Sequence, residues 1–298
     1  MIVGIVGLGL IGGSLGLELR SQGYRVLGVS RQAATCERAI IRGAVDAAGV
    51  DYSLLATADL IFLCPPLQAI PITVAQLLPH LHPQAILTDV GSVKGPIVEA
   101  IAPLWPRFIG GHPMAGTADQ GIEAAHLGLF RDAPYILTPT PTTPPDCVAA
   151  MTAIIEVLGS HLYTCSPADH DQAVAAISHL PVFVSAALIA SCEQESNPQV
   201  RKLAQAFASS GFRDTSRVGG GNPELGRMMA QYNATALGRS LRAYRDRLDH
   251  LITQLEAQDW DNLEAFLTTT AAARPAYVAP HAPPSPPTHQ PGPAGGGL

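Results

Sequence analysis

The chain has 298 residues, of which 47% are hydrophobic and 14% charged, and its formal net charge is −6. This length predicts two domains, and the composition suffices for a sizeable core. The negative balance argues against general nucleic-acid binding, so anionic ligands must meet local arginines. The five cysteines form no CxxC pair and no zinc spacing, so we expect no metal site and a reducing, cytoplasmic environment.

Residues 1–31 read as a strand, a glycine turn, a helix and a second strand. Gly7, Gly9 and Gly12 match the G-x-G-x-x-G pattern directly after the first apolar run. In this pattern the first glycine allows a tight turn, the second admits a pyrophosphate close to the backbone, and the third lets the helix pack near the strand. Because the motif stands in the βαβ context that it requires, it predicts a dinucleotide-binding Rossmann domain rather than a turn without a ligand.

Two further pairs of residues refine the cofactor prediction. Leu10 and Ile11 begin the predicted helix, whose free N–H groups and positive dipole end attract phosphates. Ser30 and Arg31 follow the second strand, where NAD-preferring enzymes usually carry Asp or Glu. A serine hydroxyl and a planar guanidinium suit a 2′-phosphate, so the sequence predicts NADP, unless Arg31 is only a solvated surface charge.

The α/β pattern continues to about residue 165. Cys64 and Pro65 end a predicted strand at the carboxyl edge of the sheet, where nucleotides bind, and we assign both to the cofactor site. Pro71 is expected to kink or restart the helix that contains it. The predicted strands cover 59–64, 85–90, 108–113, 135–138 and 161–165, and the predicted helices cover 35–43, 67–78 and 146–158.

Beyond residue 166 the pattern is helical, and several helices are apolar around most of their circumference, which predicts an intertwined homodimer. His179, Pro181 and several serines interrupt the apolar stretch 173–192, which therefore favours a buried helical segment over a membrane span. Residues 275–298 are rich in Pro and Gly and predict a disordered tail without a part in the chemistry. The expected domains are 1–165, 166–274 and the tail; the expected helices are 167–191, 198–210, 222–235, 238–257 and 261–273.

Two loops of the first domain carry candidate catalytic residues. His112 lies between glycines and a proline at a predicted strand end, where we expect an exposed imidazole that can accept a proton near neutral pH. Ser92 lies in Gly-Ser-Val-Lys one strand away and is predicted to bind a substrate hydroxyl together with His112, to cap a helix, or both. Met114 follows His112 and is assigned to the cofactor site.

A third loop, in the helical region, carries the candidate substrate cations. If this stretch is helical, Arg213 and Arg217 lie one turn apart on the same side. Asp214 is predicted to orient Arg217 by an ion pair, and a guanidinium held in this way suits a substrate carboxylate. The alternative is a surface ion-pair cluster.

Taken together, these motifs resemble the prephenate/arogenate dehydrogenase family from residue 1 to about 274. The resemblance rests on the glycine turn, Asp-Val-Gly-Ser-Val-Lys at 89–94, Gly-His-Pro-Met-Ala-Gly at 111–116, Ser-His-Leu-Pro at 178–181 and Gly-Phe-Arg-Asp-Thr-Ser-Arg at 211–217. The chain is most similar to the cyanobacterial arogenate dehydrogenases, a group that uses NADP. The family implies a Rossmann domain followed by an all-α helical dimerisation domain.

The resemblance also implies residue roles and a reaction. His112 would be the catalytic base, and Ser92 would contact the substrate hydroxyl. Arg217 would bind a substrate carboxylate, with Asp214 orienting the guanidinium. His179 would lie near the active site. The implied reaction is oxidative decarboxylation of arogenate to tyrosine with NADP. Prephenate as substrate, giving 4-hydroxyphenylpyruvate, is the alternative.

Three positions depart from the pattern of many prephenate-using members. Val182 stands where they have a second His after His-Leu-Pro, Ala118 and then Asp119 stand where they carry an acid, and Gly226 replaces a Trp. These departures favour arogenate.

Two unrelated functions share the glycine turn. A β-hydroxyacid dehydrogenase or imine reductase commonly uses a Lys of the helical domain, where this chain has Lys202 alone. A nucleotide-sensing module would not need His112.

Overall fold

The computed structural model describes residues 1–117 and 119–278, and within them the first half of the chain forms one eight-stranded sheet. The strand order is β3-β2-β1-β4-β5-β6-β7-β8. The strands are β1 (Ile2–Val6), β2 (Arg25–Val29), β3 (Ala47–Gly49), β4 (Leu60–Leu63), β5 (Ile86–Asp89), β6 (Phe108–Pro113), β7 (Pro134–Thr138) and β8 (His161–Thr164).

The direction of the strands fixes where a ligand can bind. Strands β1 to β6 pair in parallel, β6 and β7 pair antiparallel, and β7 and β8 are again parallel to each other. The strand order reverses between β1 and β4, and the carboxyl ends of β1, β4, β5 and β6 share one edge. In open α/β sheets, ligands bind outside that edge at the reversal point.

Helices cover both faces of this sheet. Because successive side chains of a strand point to opposite faces, Ile5 joins one buried cluster with Leu15 and Met151, while Val6 joins the other with Val74 and Ile97. The helices are α1 (Leu10–Ser21), α2 (Ala33–Ile41), α3 (Ile70–Leu77), α4 (Gly95–Ile101) and α5 (Pro145–Val157).

The second half of the chain is helical. A π-helical segment, Ala175–His179, links the first two helices into one continuous rod. The helices are α6 (Pro167–Val174), α7 (Leu180–Glu193), α8 (Pro198–Phe207), α9 (Ser210–Ser216), α10 (Pro223–Tyr232), α11 (Ala234–Glu256), α12 (Trp260–Ala273) and α13 (Pro275–Val278). An α/β Rossmann domain followed by a helical domain is therefore the observed fold class, as predicted.

Pro71 restarts a helix, which is one of the two outcomes predicted for it. It lies in the first turn of α3, after the short turn Leu67–Ala69, where its missing N–H is tolerated. Helix α13 occupies the first four residues of the predicted tail; residues 279–298 lie outside the described residues. Strand β3 and helix α4 are too short for a periodic pattern and were not anticipated.

The sequence predicts that the apolar stretch within the rod Pro167–Glu193 is buried, but most of it is not buried within the single chain. By length and composition it would suffice to cross a membrane, with a mean hydropathy of 2.0 in its most apolar window, and 22% of that window is buried within the single chain. The physical reason is that α7 is apolar on most sides, whereas its own chain covers only part of its circumference. Exposed apolar surface of this kind is typical of an interaction site.

Candidate active site

The glycine turn closes against the end of β4. Gly7 has a φ of +96°, and a Cβ at this position would lie 2.8 Å from the carbonyl carbon of Cys64. A Cβ on Gly12 would lie 2.0 Å from the carbonyl oxygen of Gly7. Both positions therefore require glycine, the first for backbone conformation and close approach, the second for helix–turn packing.

Gly9, in contrast, faces open space: a Cβ there would meet nothing within 4 Å. Helix α1 begins at the next residue, and its first hydrogen bond runs from the Gly13 N–H to the Gly9 carbonyl at 2.8 Å. The N–H groups of Leu10 and Ile11 thus precede the hydrogen-bonded part of the helix and point out of its positive end. An anionic ligand fits here without steric obstruction.

The end of β2 carries no carboxylate. The Ser30 N–H donates to the Gly49 carbonyl at 3.1 Å, which ties the strand end to β3, while the Arg31 side chain is exposed. The neighbouring cations are already committed, because Arg38 and Arg42 both pair with Glu123. Arg31 forms no ion pair within the described residues and is therefore available to a ligand at this strand end.

A buried ion pair anchors the ends of β5 and β6. The Lys94 ammonium donates to the Asp89 carboxylate and to the Gly111 carbonyl, the latter at 2.6 Å, and the Lys94 and Asp89 side chains are fully buried. Asp89 also accepts the Gly91 N–H at 2.9 Å. The two strand ends on which Ser92 and His112 depend are thus held in a fixed relation.

Ser92 does not cap α4, contrary to one of the alternatives stated above. The Asp171 carboxylate of α6 takes that role, accepting the Lys94 N–H at 2.7 Å and the Gly95 N–H at 2.8 Å. The Ser92 hydroxyl is half-buried and makes no hydrogen bond within the described residues. It therefore remains available to a ligand.

His112 is not exposed, which corrects the sequence prediction. It lies inside β6 opposite Ile136 of β7, with 8% of its surface accessible, and its ring packs edge-on against that of His170. The predicted strand is present, but β7 pairs with it at His112 and His170 of α6 packs against the ring, so the imidazole is buried. Met114 comes directly after the end of β6, is half-buried, and its N–H donates to the Pro134 carbonyl at 2.8 Å.

A continuous hydrogen-bonded chain leads away from His112. Its Nδ1 lies 2.8 Å from Nε2 of His170, and Nδ1 of His170 lies 2.8 Å from Oδ1 of Asp171. Sequence reasoning missed both partners, although they form an adjacent His-Asp pair. The signal was weak because these residues begin a helix after Ser166 and Pro167, where acidic residues ordinarily serve the helix N-terminus.

The surroundings of His112 disfavour its charged form. Burial lowers the pKa of His112 well below its ordinary value, and the nearby His170, Lys94 and His179 lower it further. At neutral pH the imidazole is therefore neutral and can accept a proton.

His179 ends the π-helical segment beside this cluster. Its side chain is fully buried, and burial lowers its pKa to about 4. Asn233 donates from Nδ2 to the Asp171 carbonyl at 2.7 Å and lies 3.3 Å from Nδ1 of His179. His179 thus lies beside the His112 cluster, and its role toward the substrate stays a prediction.

The predicted substrate cations, Arg213 and Arg217, form no hydrogen bond or ion pair with this cluster within the described residues. The stretch is helical, as the i, i+4 spacing of Arg213 and Arg217 required: α9 contains Arg213 and Asp214, and Arg217 opens a short 3-10 turn. The side chains of all three are exposed, and within the described residues Asp214 and Arg217 form no ion pair, contrary to the prediction. The 3-10 turn itself packs closely on α7, because a Cβ on Gly219 would lie 2.4 Å from the Ala186 nitrogen.

Both halves of the chain match known families. Residues 15–164 match the family described as prephenate dehydrogenase, nucleotide-binding domain, and residues 166–269 match prephenate dehydrogenase, dimerization domain. The chain belongs to the prephenate/arogenate dehydrogenase family. It is accordingly an oxidoreductase of tyrosine biosynthesis with a nucleotide-binding domain.

Solved and curated members of this family cover nearly the whole chain. Synechocystis arogenate dehydrogenase is 57% identical over 93% of this chain and 100% of its own, with a TM-score of 0.86. Aquifex aeolicus prephenate dehydrogenase, solved with hydroxyphenyl propionate and NAD+, is 27% identical over 93% of this chain and 98% of its own, with a TM-score of 0.87. The prephenate dehydrogenase of Bacillus subtilis is 29% identical over 89% of this chain and 73% of its own.

Two of the departures from the prephenate-using members of this family meet in space. A Cβ on Gly226 of α10 would lie 3.9 Å from a methyl carbon of Val182 of α7. Positions that hold an indole and an imidazole in many dehydrogenases of the family are therefore neighbours here and carry a hydrogen atom and an isopropyl group. Neither an indole nor an imidazole from these two positions therefore lies between α7 and α10.

Proposed function

We propose that this family member oxidatively decarboxylates arogenate to tyrosine with NADP. The observation that carries the proposal is the buried, neutral His112 at the carboxyl edge of a dinucleotide-binding sheet, with the unbonded Ser92 hydroxyl in the loop after the neighbouring strand β5. That arrangement supplies a base and a hydrogen-bonding group at the edge of the sheet where a nicotinamide cofactor would bind.

The residues present fit NADP. The pyrophosphate would lie in the open space at Gly9, against the N–H groups of Leu10 and Ile11. The 2′-phosphate would be bound by Ser30 and Arg31. The rest of the cofactor would be contacted by Cys64, Pro65, Ser92 and Met114. Bound NADP supplies the hydride acceptor.

The chain's own contribution to chemistry is proton transfer and positioning. Ser92 and His112 would hold the ring hydroxyl of arogenate, and His112 would take its proton as hydride leaves the same carbon. Loss of CO₂ then restores the aromatic ring, and the proton returns to the oxygen that becomes the phenol. Because burial excludes water from His112, the proton stays within this exchange.

Arg217 is proposed to bind a substrate carboxylate, with Arg213 and Asp214 beside it. All three side chains are unoccupied by other partners in the described structure and are therefore available. A guanidinium binds a carboxylate with two parallel hydrogen bonds, which fixes the orientation of the substrate as well as its affinity.

The preference for arogenate rests on Val182 and Gly226. Arogenate carries an ammonium group where prephenate carries a ketone, and an imidazole at position 182 would oppose an ammonium when protonated. The isopropyl group of Val182 imposes no such penalty, and Gly226 leaves room beside it. The high identity to the Synechocystis arogenate dehydrogenase supports the same preference.

We further propose a cytoplasmic homodimer. The exposed apolar surface of α7, together with exposed large side chains on α8 and α12 such as Phe207 and Trp260, needs a cover, and the match to a dimerization domain supports a second copy in that place. Sedimentation of the purified chain would show a dimer, and a stable, active monomer would contradict this part.

The alternative functions lack a comparable site. Lys202, the candidate for an imine reductase or β-hydroxyacid dehydrogenase, is exposed on α8 and lies in no buried cluster. A purely nucleotide-sensing module gives no reason for a buried His112 with a depressed pKa.

The deciding experiment measures NADPH formation with arogenate and with prephenate, for the wild type and for His112→Asn. The proposal expects efficient turnover of arogenate, weaker turnover of prephenate and loss of both in the variant. Equal use of the two substrates would overturn the arogenate assignment, and absence of turnover with either would overturn the function.

A further inference from the structure

The chain of hydrogen bonds from His112 through His170 to Asp171 contains two residues to which the proposed function assigns no role. Both lie on α6, and both side chains are buried. The two hydrogen bonds, each 2.8 Å long, join nitrogen to nitrogen and then nitrogen to oxygen, so their proton positions depend on each other.

The proton assignment starts at Asp171. Its Oδ1 accepts the Lys94 N–H at 2.7 Å and its Oδ2 accepts the Gly95 N–H at 2.8 Å, so both oxygens act as acceptors toward the backbone. A carboxylate in that position is an acceptor only. Nδ1 of His170, which bonds to Oδ1, must therefore carry the proton of that ring.

The assignment then passes to His112. When His170 carries one proton, on Nδ1, its Nε2 has a lone pair and can only accept a hydrogen bond there. Nδ1 of His112 must donate to it, which leaves the lone pair of His112 on Nε2. The hydrogen bonds to His170 therefore determine which nitrogen of His112 carries the proton.

We propose that His170 and Asp171 are positioning residues that fix the tautomer and orientation of His112, so that its Nε2 is the proton acceptor. The inference rests on the proposed function, since it specifies how the base of that reaction is prepared. It follows the logic of hydrolase triads, in which a carboxylate fixes a catalytic imidazole, with a second imidazole placed between the two.

The charged and titratable groups around His112 agree with this role. Lys94, from the loop before α4, forms an ion pair with Asp89 of β5. His179 of the π-helical segment also faces the cluster, and it forms no ion pair with a carboxylate within the described residues. Asp171 is consequently the carboxylate joined to His112 by hydrogen bonds, and it is the group able to stabilise the imidazolium that forms when His112 takes a proton.

Asp171 also ties the base to its surroundings. By accepting the Lys94 and Gly95 N–H groups, it links α6 to the segment whose lysine holds the Gly111 carbonyl next to His112. Substituting Asp171 therefore disturbs α4 as well as the imidazole. The side-chain hydrogen bonds of His170 run to His112 and Asp171 alone within the described residues, so His170 is the better residue to change.

The test compares His170→Phe with His170→Gln in the full-length chain. Phenylalanine keeps a flat ring but removes both hydrogen bonds, whereas glutamine offers an acceptor to His112 and a donor to Asp171. We expect His170→Phe to lower kcat for arogenate roughly 10- to 100-fold with NADP binding unchanged, as befits loss of a hydrogen bond to an ion. His170→Gln should recover most of that loss, and His126→Phe, an exposed histidine elsewhere, should leave kcat unchanged.

A second measurement does not depend on activity. Nitrogen-15 NMR of the histidine-labelled wild type at neutral pH should show His112 protonated on Nδ1 and bare on Nε2. A proton on Nε2, or an unchanged kcat in His170→Phe, would overturn the proposal. Absence of wild-type turnover would refute the proposed function instead, and the NMR tautomer would still decide for or against the positioning role.

Discussion

The two regions that share the proposed chemistry differ in how completely one chain builds them. The His112 cluster is buried, and its groups are joined by hydrogen bonds to β5, β6, α4 and α6. The Arg213–Arg217 segment is exposed, and its guanidinium groups have no partner within the described structure. The first region is organised without a ligand, and under the proposed function the second would complete its contacts with the substrate.

This difference follows from what each group must do. A base must be neutral and correctly oriented before the reaction, so its environment has to be fixed by folding. An arginine that binds a carboxylate stays charged in any environment, so it does not need to be buried before the substrate binds. Substitutions in the buried region should therefore affect kcat or stability, and substitutions in the exposed region should affect binding.

The largest effect is expected for His112→Asn. Asparagine keeps some hydrogen bonding toward His170 but cannot act as the base. Loss of a general base typically lowers kcat about 10²- to 10⁴-fold, with NADP affinity nearly unchanged. Steady-state kinetics together with a cofactor titration measure both quantities, and near-wild-type kcat would remove His112 from its role.

The next largest effect concerns stability. Lys94→Met leaves the buried Asp89 carboxylate without its cation, which costs about 3–5 kcal/mol in the free energy of unfolding. Urea unfolding of the variant measures the loss. The matched control is Lys94→Met with Asp89→Asn, which removes both charges and should restore part of the stability; no recovery would mean that the charge is not the cause.

In the exposed region, Arg217→Ala should raise KM for arogenate and leave kcat within a fewfold of the wild type. The carboxylate contact exists in both the ground and transition states, and a charge-assisted hydrogen bond contributes about 1.5–3 kcal/mol, or roughly 10- to 100-fold. Arg247→Ala, an exposed arginine of α11, serves as the control. A fall in kcat with unchanged KM would contradict the division between the two regions.

The smallest effect is expected at the cofactor end. Arg31→Ala should weaken NADP binding roughly tenfold, the lower end of the charge-assisted range, because solvent and salt screen this exposed side chain. NAD binding should not change, and Arg25→Ala at the opposite end of β2 should affect neither cofactor. Equal wild-type affinity for NAD and NADP would contradict the predicted specificity.

The cofactor half of the site was predictable because it is local in sequence. Gly7, Gly9 and Gly12 lie within one turn, and their conformational and steric roles follow from the absence of a Cβ. The helical half was predictable only as helices, since apolar faces indicate burial but not what covers them. The exposed fraction of Pro167–Glu193 within one chain illustrates that limit.

The surroundings of His112 could not be read from the sequence. The strand predicted at 108–113 is observed, but pairing with β7 and the position of α6 bury the histidine that was expected to be exposed at its end. His170 lies 58 positions from its partner His112, and Asp171 lies 77 positions from its partner Lys94. No local sequence pattern could reveal contacts over such separations. Long-range packing sets both the burial and the pKa of the proposed base.

The pH dependence of kcat/KM for arogenate tests most directly whether folding prepares His112 as a neutral base. Burial and the neighbouring His170, Lys94 and His179 disfavour the imidazolium, so the pKa of His112 lies well below its ordinary value of about 6.5. Because the neutral form is the active one, activity should be constant through neutral pH and fall only as pH drops through that lowered pKa. An acid limb with an apparent pKa at or above about 6.5 would contradict this account.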